Sequence, residues 1–302
     1  MSTPYHVAVI GLGAMGMGAA RSCLRAGLTT YGIDLSEQAR SQLQQAGAAA
    51  VMADARPLAE TLDAVLLLVV NATQVRRILL GEAGLARHLK PGTAIMVSST
   101  IAAEEASALA AELALMGLPM LDAPVSGGAI KADAGEMTVM AAGADAAFDK
   151  LAPVLDAVAG KVYRVGSEPG QGSTVKIIHQ LLAGVHIAVA AEAMALASRA
   201  GVPLDLMYDV VTHAAGNSWM FENRMPRVLA GDYQARSAVD IFVKDLTLVA
   251  DTAKALRFPL PLASTALNMF LGASNAGHGQ EDDSAVIKIF SGIQLPGQEE
   301  QA

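Results

Sequence analysis

The 302-residue sequence predicts an α/β domain followed by an all-α domain, the two joined through a long helix. Three observations predict it. Val7-Ala8-Val9-Ile10 is a β-branched run suited to a buried parallel strand, and it leads directly into Gly11-Leu12-Gly13-Ala14-Met15-Gly16 and a helical pattern. Short apolar strand runs then alternate with helical patterns as far as Val165. After the Gly/Pro-rich break Gly166-Ser167-Glu168-Pro169-Gly170-Gln171-Gly172 the texture changes, and long helical patterns follow with few strand candidates. The expected division is residues 1–165 and residues 166–302.

The glycine loop has the G-x-G-x-x-G spacing of a Rossmann dinucleotide-binding turn. Gly11 permits the tight turn, Gly13 lets backbone approach a pyrophosphate, and Gly16 lets helix and strand pack closely. Free backbone N–H groups and the positive dipole end at the helix start favour an anion there. A second strand, Thr29-Thr30-Tyr31-Gly32-Ile33, ends in Asp34, at about the ~20-residue offset of a carboxylate that bonds an adenosine ribose. Such a carboxylate repels a 2′-phosphate, and the following Leu35-Ser36-Glu37-Gln38 holds no Arg or Lys to bind one. NAD rather than NADP is the expected cofactor.

Composition narrows the class further. Hydrophobic residues make up 53% and charged ones 17%, which excludes a disordered chain. No run reaches the ~18 uninterrupted apolar residues of a membrane span, so no membrane partner is expected. The net charge of −8 without a basic cluster argues against nucleic acid. Met1-Ser2-Thr3-Pro4-Tyr5-His6 lacks the basic and apolar regions of a secretory signal. Cys23 is the only cysteine and reads as a small buried hydrophobe, and a reducing cytoplasm is the expected location.

Along the first domain, residues 37–47 are helical and end at glycine. Ala64-Val65-Leu66-Leu67-Leu68-Val69-Val70 is a continuous apolar run of the kind a central parallel strand shows. Val70 and Asn71 stand at its carboxyl end, where open α/β sheets bind ligands, and both are expected cofactor contacts. Asn71 serves equally as N-cap of the helical pattern over 73–80. The strand Ala94-Ile95-Met96-Val97 ends in Ser98-Ser99-Thr100, whose hydroxyls suit both a helix cap and, for Thr100, the cofactor. Strand-like Pro119-Met120-Leu121-Asp122 leads into Ala123-Pro124-Val125-Ser126-Gly127-Gly128, and Met137-Thr138-Val139-Met140-Ala141-Ala142-Gly143 is a further strand. Residues 146–159 read as helix with Pro153 in the first turn, and Lys161-Val162-Tyr163-Arg164-Val165 closes the domain.

In the second domain the longest helical pattern spans 173–200 and stops at Gly201, with Pro203 beyond. Further helices are expected over 204–214, 221–230, 243–256, 261–276 and 283–292. The tail over 296–302 is polar and expected to fray. So many Ala/Leu/Met-rich helices hold more apolar surface than one small lobe encloses, so a homo-oligomer, dimer or tetramer, is expected.

With these residues in order, the chain resembles the β-hydroxyacid dehydrogenase family, which includes the 3-hydroxyisobutyrate, tartronate semialdehyde and 6-phosphogluconate dehydrogenases. The resemblance runs nearly end to end. It rests on the glycine loop, on Asp122-Ala123-Pro124-Val125-Ser126-Gly127-Gly128, on Gly172 with Lys176, and on Lys244-Asp245-Leu246. Within the family, His179-Gln180 and His213-Ala214-Ala215-Gly216-Asn217-Ser218-Trp219 are most similar to the L-threonate dehydrogenase branch. The chain departs from many members at Gln180, where they carry asparagine, and at Ala19 and Ser22 in the first helix, where they carry methionine and asparagine.

The resemblance implies NAD-dependent oxidation of a short polyhydroxy acid, L-threonate at C2, with 3-hydroxyisobutyrate or tartronate semialdehyde chemistry at C3 as the alternative. A non-catalytic dinucleotide-binding regulator is the alternative outside enzymes, but it would have no need of Lys176. Oxidising a secondary alcohol requires hydride transfer to the nicotinamide and removal of the hydroxyl proton. Lys176 is the candidate base. Its ordinary pKa of ~10.4 leaves it protonated, and desolvation beside a nicotinamide cation would disfavour the ammonium. Gln180, one helical turn on, and His179, three residues on, share its side of the helix and are candidates to bond substrate hydroxyls. Ser126, Gly127 and Gly128 offer a hydroxyl and unhindered N–H groups to a substrate carboxylate. Lys244 is carried over from the family as lying near the nicotinamide. Trp219 reads as a wall of the site or as core, and no metal-ligand pattern is present.

Overall fold

The computed structural model describes residues 4–296. The polar tail over 297–302 lies outside the described residues. Two compact units emerge, Met1–Lys176 and Ile177–Ala302. The division falls after Lys176 rather than after Val165, because the first turn of the long helix is bonded into the first unit.

The described residues of the first unit form nine strands: β1 (His6–Ile10), β2 (Thr29–Ile33), β3 (Ala50–Met52), β4 (Ala64–Leu67), β5 (Ala94–Val97), β6 (Met120–Asp122), β7 (Val125–Ser126), β8 (Met137–Ala142) and β9 (Ala159–Gly166). Its helices are α1 (Ala14–Arg25), α2 (Glu37–Gln45), α3 (Ala72–Leu80), α4 (Ala103–Ala114), α5 (Gly128–Ala134) and α6 (Asp145–Val158). The sheet order is β3-β2-β1-β4-β5-β6-β8-β7, with β9 also on β8. The first six strands pair in parallel, in the order of a Rossmann fold, while β8 runs antiparallel to β6 and β7. The sheet is buried on both faces, which explains the continuous apolar runs. Val9, Leu66 and Met96 face one core with Phe148 and Leu151 of α6. Ile10, Val65, Leu67 and Ile95 face the other with Val75 of α3 and Leu109 of α4.

Three expectations need correction. Strand β3 is absent from the sequence reading because three residues at a sheet edge give no periodicity to read. The apolar run over 64–70 is strand only as far as Leu67. Pro153 lies well inside α6 rather than in its first turn. The carbonyl it cannot bond belongs to Asp149, which is exposed to solvent.

Helix α7 (Gln171–Arg199) runs through the division. The second unit continues with α8 (Leu204–Thr212), α9 (Trp219–Ala230), α10 (Val239–Ala255) and α11 (Pro261–Ala273). A π-helical turn, Ser274–His278, takes up the end of the expected 261–276 helix, with Gly277 at φ 94°. The last expected helix is a 3₁₀ segment, Asp283–Ile289, held short by the Asp282 side chain, which accepts the Ser284 N–H. Ile187, Ala191 and Met194 of α7 meet Phe242, Leu246 and Phe270 in the core, and the Phe242 and Phe270 rings stack at 5.2 Å. Buried ion pairs Arg224–Asp283 and Arg227–Asp282 fasten the 3₁₀ segment to α9. By length and hydropathy α7 would suffice to cross a membrane, and 50% of that window is buried within the protein.

Candidate functional site

In the first unit the glycine loop is shaped by its neighbours. Gly11 has φ 90°, and a Cβ there would stand 2.7 Å from the Leu68 carbonyl oxygen. A Cβ on Gly16 would run into the Gly11 carbonyl. Gly13 differs, since a Cβ there would meet nothing within 4 Å. It is the N-cap of α1, without a side-chain cap, and it lines a cavity of about 720 Å³. A helix start left open on a cavity is what a pyrophosphate fits. Of the other loop residues, Leu12 is buried in the core, Met15 packs against it, and Ala14 is exposed at the start of α1.

Asp34 lines the same cavity. Its Oδ2 accepts the Leu12 N–H and its Oδ1 the Ser36 N–H, both at 2.7 Å, so the glycine turn and the turn after β2 are bonded to one carboxylate. Arg40, close in sequence, is spent on carbonyl oxygens: Nη1 donates to Asp34 O at 2.7 Å and to Leu35 O at 2.9 Å. Two cavity-lining arginines, Arg56 and Arg77, went unrecognised in the sequence. Arg56 follows the unread strand β3, and its Nε donates to Asp54 at 2.6 Å. That bond holds the Asp54 carboxyl below its usual range.

Val70 borders the cavity and is 46% exposed. Its N–H goes to the Gln74 side chain at 2.8 Å, while Asn71 caps α3 by accepting the Gln74 N–H at 2.9 Å. Helix α4 begins from Ala102 without a side-chain cap. The serine hydroxyls therefore do not cap it: Ser99 Oγ accepts the Val69 N–H at 3.1 Å and Ser98 Oγ donates to Ala123 O at 2.8 Å. Thr100 lies in the turn between β5 and α4.

Ser126 ends β7, and Gly127 and Gly128 follow at φ 130° and 69°. A Cβ on Gly127 would stand 2.7 Å from that of Lys131, whereas one on Gly128 would meet open space. The turn therefore presents bare backbone. Lys176 is 6% exposed, unlike a snorkelling surface lysine. Asp122 is fully buried and takes hydrogen bonds from Gly170 and Ser173 at the start of α7.

In the second unit, His179 and Gln180 of α7 join Lys244 and Asp245 of α10 in one polar chain. Lys244 Nζ donates to Asp245 Oδ1 at 2.5 Å, Gln180 Nε2 to Asp245 Oδ2 at 2.5 Å, and His179 Nδ1 stands 3.0 Å from Gln180 Oε1. Asp245 is 2% exposed, and in the sequence it stands out only as part of the Lys244-Asp245-Leu246 motif. Lys244 sits in the second turn of α10 rather than at its start, because α10 begins at Val239. Trp219 is 49% exposed and so is not core. Among the described residues no group of three or more His, Cys, Asp or Glu could hold a metal ion. Cys23 is buried, which pushes its thiol up to about 12.

A sheet of this order, with an open helix start and a carboxylate beside it, is that of a dinucleotide-binding domain, and the relatives that share it here are dehydrogenases of hydroxyacids. The model for the NAD-binding domain of 6-phosphogluconate dehydrogenase matches residues 6–166, and that for the NAD-binding region of NADP-dependent 3-hydroxyisobutyrate dehydrogenase matches residues 170–290. The chain belongs to the 3-hydroxyisobutyrate dehydrogenase-related, or β-hydroxyacid dehydrogenase, family. It is 73% identical to the L-threonate dehydrogenase of Escherichia coli O6:H1 and 72% to that of strain K12, over 97% of each chain. A solved 3-hydroxyisobutyrate dehydrogenase from Salmonella typhimurium matches at 70% identity and a TM-score of 0.92, covering 95% of this chain and 100% of that one.

Proposed function

We propose that the chain oxidises L-threonate at C2 to 2-dehydro-L-erythronate with NAD. The observation that carries this is identity of 56% to 73%, over 97% or more of the chain, to relatives named L-threonate dehydrogenase. NAD supplies the two-electron acceptor when bound. The turn that Gly11 and Gly16 shape would hold its pyrophosphate against Gly13 at the start of α1, Asp34 would hold its ribose, and Val70, Asn71, Thr100 and Lys244 its remaining length. The NADP-dependent family named above matches residues 170–290 and so does not bear on Asp34.

On the substrate side, Ser126, Gly127 and Gly128 receive the carboxylate through one hydroxyl and bare N–H groups. Lys176 Nζ accepts the proton of the reacting hydroxyl, and in the reverse direction returns it. Gln180 and His179 bond the substrate's other hydroxyls. The Salmonella structure's name favours a second reading, 3-hydroxyisobutyrate oxidised at C3. That substrate carries a methyl branch where threonate carries hydroxyls, and it would leave part of the His179-Gln180-Asp245 chain unanswered. A panel of C3 to C5 hydroxyacids assayed for NAD reduction tests this. The proposal requires L-threonate to have the highest kcat/KM, and a preference for 3-hydroxyisobutyrate would replace it.

Self-association is part of the same proposal. Ile178, Leu182, Val189 and Leu196 of α7 and Leu206 and Val210 of α8 are each more than half exposed, apolar area suited to a second copy. Cytoplasmic residence rests on the single, buried cysteine.

A further inference from the structure

The strand end that leads into the 122–128 loop also holds the start of α7. Asp122, the last residue of β6, is 0% exposed. Its Oδ2 accepts the N–H groups of Gly170 and Ser173 at 2.8 and 2.7 Å, and its Oδ1 accepts the Ser173 hydroxyl at 2.7 Å. Backbone N–H groups at a helix start have no partner within the helix, and a carboxylate among them also meets the positive end of the dipole. Burial pushes the Asp122 pKa up, while the bonds from Ser173, Gly170 and Gly172 draw it back toward the ionised form. Contact is close as well as polar. A Cβ on Gly172 would lie 2.6 Å from the Met140 carbonyl oxygen and run into that of Asp122, so the first turn lies directly on β6 and β8.

We propose that Asp122 is the positioning residue for Lys176: its carboxylate fixes the first turn of α7 to the end of β6, and so fixes Nζ relative to the Ser126-Gly127-Gly128 turn. The inference rests on Lys176 as the acid–base group. Lys176 follows Ser173 by three residues, on the same side of the helix, and helical side chains lean back over the preceding turn. The lysine therefore reaches from the turn that Asp122 holds. From Asp122 the chain continues through Ala123-Pro124-Val125 into the carboxylate turn. One residue thus anchors both the base and the turn that orients the substrate against it. Proton transfer needs heavy atoms within about 2.6–3.2 Å, and ~1 Å of misplacement costs on the order of 10²-fold.

The test is a double-mutant cycle between Asp122 and Lys176, read as kcat on saturating L-threonate and NAD, with NADH affinity by fluorescence. Asp122→Ala should lower kcat by ~10²-fold, with NADH affinity changed by less than ~3-fold. Asp122→Asn keeps an oxygen for the two N–H groups and an amide for the Ser173 hydroxyl, and should recover kcat to within ~5-fold of the parent. In the Lys176→Ala background Asp122→Ala should cost less than ~2-fold, because there is no base left to misplace. Should Asp122→Ala fail to fold, Ser173→Ala carries the test, with a loss of ~5-fold that vanishes without Lys176. Equal losses with and without Lys176, or an Asp122→Asn enzyme as slow as Asp122→Ala, would overturn the inference. A fully active Lys176→Ala enzyme would instead overturn the assignment of the base itself.

Discussion

Gln180 donates its amide N–H to Asp245 Oδ2 at 2.5 Å, and this one bond orients the whole side chain. A carboxylate can only accept, so Nε2 faces Asp245 and Oε1 faces His179 Nδ1 at 3.0 Å. An amide oxygen also only accepts, so the imidazole donates to it from Nδ1. The direction of bonding from Lys244 through Asp245 to Gln180 is set by charge rather than by choice of rotamer.

Gln180→Ala should therefore impair discrimination among hydroxyacids. The expected loss is ~0.5–3 kcal/mol in kcat/KM for a polyhydroxy acid, larger than for 3-hydroxyisobutyrate, with NAD affinity nearly unchanged. Asp245→Asn should act in the same direction, since an amide at that place no longer dictates which end of Gln180 faces it. Equal loss on both substrates would show that Gln180 does not read hydroxyls.

Asp34→Ala combined with Leu35→Arg should shift preference from NAD toward NADP. The change removes the repelling carboxylate and places a guanidinium on a side chain that is 76% exposed, while Arg40 stays occupied by its two carbonyls. It also frees the Leu12 and Ser36 N–H groups, so weaker binding of both cofactors should accompany the switch. Kinetics of the parent enzyme showing equal use of NADP would contradict the premise.

Much of this arrangement was legible because it depends on local pattern. The run Val7-Ala8-Val9-Ile10, the glycine spacing and Asp34 are read from period and offset alone, and their placement follows from the sheet's order. Arg56 was not legible, since the strand that delivers it is three residues long. Asp122 and Asp245 were visible as letters in motifs but not in their tasks. Their partners Ser173 and Gln180 stand 51 and 65 residues away in sequence, and a contact at that separation leaves no periodicity. The serines of Ser98-Ser99-Thr100 misled for a related reason: hydroxyls before a helix suit a cap, but here neighbouring strand ends took them first.

The second unit should lose stability in acid through Asp282. Burial draws its pKa up, but bonds from Arg227, Ser284 and the Arg236 N–H outweigh burial and hold it below the ordinary value. For a carboxyl whose pKa is depressed on folding, the stabilisation is complete above the unfolded value of ~3.9 and is lost as pH falls through the folded one. Unfolding by urea between pH 6 and pH 2.5 should show this decline, and Asp282→Asn should flatten it while lowering stability at pH 6. An unchanged pH dependence in the variant would assign the decline to other groups.

Light scattering across micromolar concentrations should report a dimer or tetramer. Leu182→Glu and Val189→Glu together place charge on two exposed apolar positions of α7 and should shift the population toward monomer. A monomeric parent protein would contradict the expectation outright.

The most direct test of the chemistry is the turnover of Lys176→Ala on L-threonate at saturating NAD. As the proton acceptor, Lys176 should be worth ~10²–10⁴-fold in kcat, with NAD affinity nearly intact because the glycine loop and Asp34 are untouched. Near-normal turnover on the best hydroxyacid would contradict the account, and the base would then be sought at His179.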